Sequence, residues 1–190
     1  MKYYVVKKGV NPGIYLSWEE CEKEILGYKG AIYKSFNTYE EAKNYLEDKE
    51  ETFSIPTCYI DGSYDSKTGN YSFGGVLIID GKKRSFKKKY LADDFSKYRN
   101  VAGEIKGAAF ILNYCYKHNI KELLICYDYL GIEKWYDGSW QAESEIAILY
   151  TNFIKEIKDK IKVTFKKIKS HTGNTYNELA DKLAKEALEL

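Results

Sequence analysis

The sequence predicts an α/β protein: a five-stranded mixed sheet flanked by helices, preceded by a small three-stranded α+β module. Three observations carry that prediction. Residues 57–190 alternate short apolar runs of strand length with segments of helical periodicity, in the order βββαβα(α)βα. Residues 1–46 show the same alternation on a smaller scale, as ββαβα. Between them, Glu47-Asp48-Lys49-Glu50-Glu51-Thr52 is charged and lacks apolar periodicity, which suits a solvated connector. The expected organisation is a module over 1–48, a linker over 49–56 and a larger domain over 57–190.

Each element follows from its local pattern. In the module, Tyr3-Tyr4-Val5-Val6 is a strand, Asn11-Pro12-Gly13 a turn and Ile14-Tyr15-Leu16 a second strand. Ser17, with Glu20 three residues on, forms a capping box for a helix over 18–27. A third strand spans 31–36, and Thr38 with Glu41 caps a last helix ending at Leu46. In the larger domain, strands are expected over 57–63, 73–79 and 83–91, the last two joined by the hairpin pair Asp80-Gly81. Apolar residues at 101, 105, 108, 112 and 115 give 101–118 one buried helical stripe. Leu123-Leu124-Ile125-Cys126-Tyr127 is wholly apolar, as expected of a strand buried on both faces beside a parallel neighbour. Helices over 132–136 and 142–157, a strand over 163–168 and a helix over 175–190 complete the order. The last helix carries the stripe Leu179, Ala180, Leu183, Ala184, Ala187 and Leu188.

Composition bounds the function. The 190 residues are 44% hydrophobic and 31% charged, with two prolines and no run of 18 apolar residues, which fits a chain that folds in water without a membrane span. The amino-terminal residues match neither a signal nor a transit peptide, so the expected location is cytoplasmic. A monomer without an obligate protein partner is the default. Cysteines at 21, 58, 115 and 126 lack zinc or CxxC spacing and are expected as reduced, buried thiols. A net charge of +2 gives no global attraction for a polyanion. Any nucleic-acid affinity must come from local patches, such as the basic run at 82–89 and seven lysines between 155 and 169. Only Arg84 and Arg99 are arginine, which disfavours a reader of DNA base edges. The run at 82–89 fits either protection of a sheet edge or nucleic-acid contact, and both stay open. The 19 tyrosines fit a biased base composition and indicate no function by themselves.

Four carboxylates stand where chemistry could occur. Asp61 lies inside a strand, Glu104 in the first turns of the long helix, Asp128 directly after the apolar strand and Asp181 within the stripe of the last helix. If the first and fourth strands of the domain are neighbours and both helices pack on the same face, the four converge. Their repulsion would call for cations, and hard oxygen donors select Mg²⁺ or Mn²⁺. Two such ions about 4 Å apart can activate water and stabilise the leaving oxygen of a phosphodiester.

The motifs Tyr59-Ile60-Asp61-Gly62-Ser63, Asn100-x-x-x-Glu104, Tyr127-Asp128, Ser170-His171-Thr172-Gly173 and Asn177-Glu178-Leu179-Ala180-Asp181 occur in this order. With them, residues 57–190 resemble ribonuclease H of type 1. The resemblance implies a ribonuclease H-like fold and a metal-dependent endonuclease that cuts the RNA strand of an RNA:DNA hybrid, leaving 5′-phosphate and 3′-hydroxyl ends. It also implies that Asp61, Glu104, Asp128 and Asp181 hold two Mg²⁺ ions, with Mn²⁺ as the alternative. His171 would assist proton transfer or product release, whereas His118 is expected as a surface residue. Asn100 would lie near the hybrid's minor groove, where 2′-hydroxyls distinguish RNA from DNA. Lys97 and Arg99 would stand near a phosphate pocket. Asp128-Tyr129-Leu130 departs from the family's usual Asp-Ser-Gln, Val101 replaces a polar amide, and 131–144 is too short for the separate basic protrusion of some members.

Residues 3–46 resemble the hybrid-binding, viroplasmin-like module that precedes some of these domains. The resemblance runs through Tyr4, Gly9-x-x-x-Gly13-Ile14-Tyr15, Leu16-Ser17-Trp18-x-x-Cys21, Tyr33-Lys34-Ser35-Phe36 and Thr38-x-x-Glu41-Ala42. It implies that Trp18 and Tyr33 pack on deoxyribose of the DNA strand, with Tyr4 and Lys34 on the backbone. Ser35 stands where some relatives carry a second lysine. With seven lysines against eight acidic residues over 1–48, the module must act through aromatics and directed contacts instead of bulk charge. Trp18 could instead be a core residue. The competing functions are a catalytically silent hybrid-binding protein, which would lack one of the four carboxylates; a structural or ribosome-associated RNA-binding protein; and a two-metal DNA nuclease of transposase or resolvase type, which usually lacks the histidine loop.

Overall fold

The computed structural model describes residues 2–47, 53–168 and 174–190. They divide into two compact units, one before residue 53 and one after it. Residues 48–52, within which the linker expectation partly falls, and His171 lie outside the described residues.

The first unit has the expected order: β1 (Tyr3–Lys8), β2 (Gly13–Tyr15), α1 (Trp18–Ile25), β3 (Ile32–Phe36) and α2 (Tyr39–Leu46). The strands form an antiparallel sheet in the order β2-β1-β3. Alternation along β1 sends successive side chains to opposite faces. Val5 packs with Phe36 of β3 and Ala42 of α2, while Trp18 of α1 lies against Tyr4 and Tyr33 on the other face, so one helix covers each face. Thr38 and Glu41 form a complete capping box. The box expected at Ser17 is half formed. Ser17 accepts from the Glu20 N–H at 3.2 Å, but Glu20 reaches back to the N–H of Leu16 instead of the cap residue.

The second unit runs β4 (Thr57–Tyr64), β5 (Tyr71–Ile79), β6 (Lys82–Tyr90), a 3₁₀ turn (Ser96–Tyr98), α3 (Asn100–Lys117), β7 (Glu122–Tyr127), α4 (Gly131–Asp137), α5 (Glu145–Ile157), β8 (Lys162–Lys167) and α6 (Thr175–Leu188). The mixed five-stranded sheet has the order β6-β5-β4-β7-β8, antiparallel through β6, β5 and β4 and parallel through β4, β7 and β8. Asp80 and Gly81, both at positive φ, make the β5–β6 hairpin turn. The first and fourth strands of the unit, β4 and β7, are neighbours as expected, and β7 lies between two parallel partners.

The two carboxylate-bearing helices do not pack on the same face, one of the two conditions set for convergence of the four carboxylates. The core containing Cys58, Ile60, Leu77, Ile125 and Tyr127 joins the sheet to α3, α4 and α5, whereas Tyr59, Val76, Ile78 and Cys126 pack with Ala180 of α6. Residues of opposite parity on β4 thus serve opposite helices, and α3 and α6 sandwich the sheet. The apolar stripes show that both helices are buried but not on which side. Buried on both faces, Tyr71 to Ile78 of β5 form the centre of this sandwich. Phe53 packs edge-on against Tyr59 and Tyr176, and Leu124 donates its N–H to the Pro56 carbonyl, so both 53 and 56 join the second unit.

Two glycines set how closely the helices approach. A Cβ on Gly62 would stand 2.2 Å from the Asn100 carbonyl oxygen and 2.9 Å from the Glu104 nitrogen of α3. On the other face, a Cβ on Gly74 would stand 2.0 Å from the Ala180 carbonyl oxygen and 2.5 Å from the Ala184 nitrogen of α6. Among the described residues, no helix is long and apolar enough to cross a membrane. Because the obstruction at Gly74 is backbone, Gly74→Ala is expected to destabilise the second unit by about 2 kcal/mol or more. An unobstructed Gly→Ala change at a compatible site would instead stabilise by about 0.4–1 kcal/mol. The urea midpoint at constant slope measures this, and an unchanged or higher midpoint would contradict the close helix approach.

Candidate active site

The site forms where β4 and β7 part. Their paired register ends at Tyr59↔Cys126, so Asp61 and Asp128, each two residues further along, stand beyond the last rung. Asp61 accepts the N–H of Gly62 at 2.8 Å. Glu104 enters from α3, whose approach Gly62 permits. Oxygens of Asp61, Glu104 and Asp128 lie within 4.8 Å of one another.

The environment of Glu104 is unusual for a carboxylate. It is 2% exposed. Asn100, one turn earlier on α3, donates its Nδ2 to Oε1 at 3.1 Å. Oε2 is buried without a hydrogen-bond donor. Burial, then hydrogen bonding to and repulsion from Asp128, then the charge of Asp61, push the Glu104 carboxyl from 4.5 up to about 10. Two carboxyl groups can share a hydrogen bond only if one is protonated, so without a cation this cluster retains a proton. Burial, followed by the Asp128 charge, raises Asp61 from 3.8 to about 7, with a smaller contribution from Asp181 and opposition from Lys185. An orphaned buried oxygen among hard oxygen donors fits a divalent cation of the Mg²⁺ or Mn²⁺ type.

Asp181 belongs to the surroundings of the cluster but not to the group of three. Its Oδ2 accepts from Lys185 Nζ at 2.7 Å, one turn further along α6. Sequence reasoning missed Lys185, although an acid and a lysine at i,i+4 on a helix is a recognisable ion-pair spacing. It also took Gly62 only as part of a motif, without seeing that the absent side chain admits α3. Asn100, expected at the hybrid's minor groove, is exposed and holds Glu104. Tyr129, in place of the family's usual serine, packs against Trp135 with ring centres 5.8 Å apart. Its hydroxyl titrates above the ordinary range through burial and the nearby Glu104 charge.

The RNase H family model matches residues 54–189. The chain belongs to the ribonuclease H family. Residues 2–46 match the model of the ribonuclease H1 N-terminal domain. Among relatives, the chain is similar to ribonuclease H of Saccharomyces cerevisiae, 50% identical over 50 residues, which is 26% of this chain and 14% of that protein. The chain thus spans a small part of that relative's length. Among solved structures, ribonuclease H1 of the halophilic archaeon Halobacterium salinarum shares the fold, with a TM-score of 0.59 at 20% identity over 72% of this chain and 98% of that one. LC11-RNase H1 in complex with an RNA/DNA hybrid also shares it, with a TM-score of 0.55 at 16% identity over 70% of this chain and 99% of that one.

In the amino-terminal unit, the structure brings three of the four expected nucleic-acid residues together. Trp18 lies between Tyr4 and Tyr33, with ring centres 5.9 Å and 5.8 Å away. Trp18 is 37% and Tyr33 48% exposed, so this cluster is a surface and not a core. Lys34 pairs with Val5, on the α2 face, and its Nζ lies over the Tyr45 and Phe36 rings at 5.6 Å and 5.8 Å. Strand alternation therefore sends it to the face opposite Tyr4 and Tyr33.

Both raised carboxyls imply a pH dependence of known sign. Between 3.8 and about 7 for Asp61, and between 4.5 and about 10 for Glu104, the folded protein binds protons that the unfolded chain releases. Stability of the metal-free protein therefore falls as pH rises through these windows. Thermal unfolding in EDTA between about pH 5 and about pH 8 should show a falling midpoint. Glu104→Gln should flatten this dependence and raise the midpoint at the upper end. A midpoint rising with pH throughout would contradict the buried cluster.

Proposed function

We propose that this chain is an endoribonuclease that hydrolyses the RNA strand of RNA:DNA hybrids, leaving 5′-phosphate and 3′-hydroxyl ends, with its amino-terminal module binding the hybrid. The observation that carries this is the convergence of Asp61, Glu104 and Asp128 at the parting of two parallel strands. Family membership and the hybrid in the LC11-RNase H1 structure support the substrate class.

The residues divide the work. Asp61, Glu104, Asp128 and Asp181 would hold two divalent cations, Mg²⁺ or Mn²⁺. Bound there, these ions would supply an activated water and neutralise charge developing on the scissile phosphate. The Gly62 N–H fixes one oxygen of Asp61, and Asn100 fixes one of Glu104, so neither carboxylate must search for its orientation. Asp61 and Glu104 release their protons when a cation takes the site, which makes metal affinity rise with pH. His171 is assigned to proton transfer or product release through the family resemblance.

Trp18 and Tyr33, with half-buried Tyr4 beside Trp18, offer exposed ring area on which sugars or bases can pack. Tethering such a module to the catalytic unit raises the local concentration of the latter on a long hybrid.

Asp128→Asn keeps the side chain's shape and removes its charge. It is expected to lower hybrid cleavage by about 10³-fold while hybrid binding persists, as measured on a labelled RNA strand with Mg²⁺ or EDTA. Cleavage of duplex RNA, duplex DNA or single-stranded RNA at the hybrid's rate would contradict the substrate assignment. Trp18→Ala is expected to weaken hybrid binding about tenfold with kcat at saturating hybrid unchanged. An unaltered dissociation constant would remove the aromatic cluster from the binding surface.

A further inference from the structure

Asp181 and Lys185 stand at i,i+4 on α6, acid before base, in the orientation that a helix favours. Their atoms are 2.7 Å apart, with Asp181 26% and Lys185 48% exposed. The other nearby lysines are otherwise engaged: Lys87 and Lys182 both pair with Glu186. Among the described residues, Lys185 is the cation paired with Asp181. Its charge also reaches the cluster, since it opposes the Asp128 and Asp181 charges at Asp61.

We propose that Lys185 is a built-in competitor for one of the two divalent ions, occupying Asp181 until substrate arrives. This rests on the metal-dependent function proposed above. Asp61, Glu104 and Asp128 already lie together as a group that can hold one ion. The Asp181 oxygen that Lys185 holds can join only when the lysine lets go. A partly exposed i,i+4 pair is weak, so release is easy once something else compensates the charge. A substrate phosphate does this twice over, by giving the incoming ion an additional oxygen and the displaced ammonium an anionic partner. Loading of the second ion is then coupled to substrate binding, which makes that ion the weaker of the two on the free protein.

The test measures Mn²⁺ binding to the full-length protein without nucleic acid, by calorimetry and by the electron paramagnetic resonance signal of free Mn²⁺. It compares wild type, Lys185→Met, which keeps the stem and removes the charge, and Lys185→Arg, which keeps the charge. The expected result is one tighter and one weaker ion in the wild type. Lys185→Met should tighten the weaker ion about tenfold, the effect of removing a monovalent charge a few ångströms from a divalent one at a wet site. The tighter ion should change less than the weaker one, and Lys185→Arg should behave as wild type. Adding Asp181→Asn should abolish the gain. A Lys185→Met isotherm that superimposes on wild type, or one in which the weaker ion binds less well, overturns the competitor role while leaving the metal site intact. Absence of Mn²⁺ binding in all three proteins overturns the metal-dependent function itself.

Discussion

Mutual repulsion among buried carboxylates is the constraint around which the second unit is built. Asp61, Glu104 and Asp128 come within 4.8 Å of one another, with Glu104 almost fully buried. Taking an ionised carboxylate out of water costs several kcal/mol even after relaxation. Placing two more beside it adds to that cost unless protons or cations intervene. The fold tolerates the cluster because the sheet behind it is secured independently. β5 is buried on both faces, and β7 is paired on both edges. The energy that holds the strands together therefore does not depend on the charges at their ends.

The same sheet explains how side chains from different layers meet. α3 and α6 lie on opposite faces, which in most of the sheet would keep their residues separated by a layer of backbone. The β4–β7 ladder stops at Tyr59↔Cys126, and the strands diverge beyond it. At that opening Glu104 can reach Asp61 and Asp128 from the α3 side, while Asp181 approaches from the α6 side closely enough to affect Asp61. Gly62 and Gly74, one on each face, let both helix backbones come near. A side chain at either position would push one carboxylate away from the others.

The strand order and the buried helix faces were legible in the sequence because they follow from local periodicity. Leu123 to Tyr127 read as a doubly buried parallel strand because all five residues are apolar, and Asp80-Gly81 read as a hairpin turn from its backbone preference. The side on which each helix packs was not legible. Both α3 and α6 carry an apolar stripe, and handedness of connection, not composition, chooses the face. The four carboxylates were identifiable from their motifs, but the engagement of Asp181 by Lys185 depends on how α6 turns relative to the sheet. In the module, Tyr33 and Lys34 are neighbours in sequence and therefore point to opposite faces of β3. A motif read as a string places them together, whereas the pleat separates them.

An anionic cluster at the centre of a site for a polyanionic substrate creates a further requirement. With a net charge of only +2, the chain has no general field to offset repulsion between phosphate and Asp61, Glu104, Asp128 and Asp181. Whatever neutralises the carboxylates must therefore also favour substrate. By linkage, any substrate that favours the cation-loaded form must raise cation affinity by the same factor. The nearly neutral amino-terminal unit fits that logic, because ring faces can hold a sugar or base regardless of the charge state of the carboxylate site. Under the proposed function, capture through Trp18 and Tyr33 would not require a loaded site, and loading would be completed where a phosphate is present. Charge at the carboxylate site and aromatic area on the amino-terminal unit would thus meet different requirements: one would make cation loading depend on substrate, and the other would supply affinity that survives while the site is still protonated.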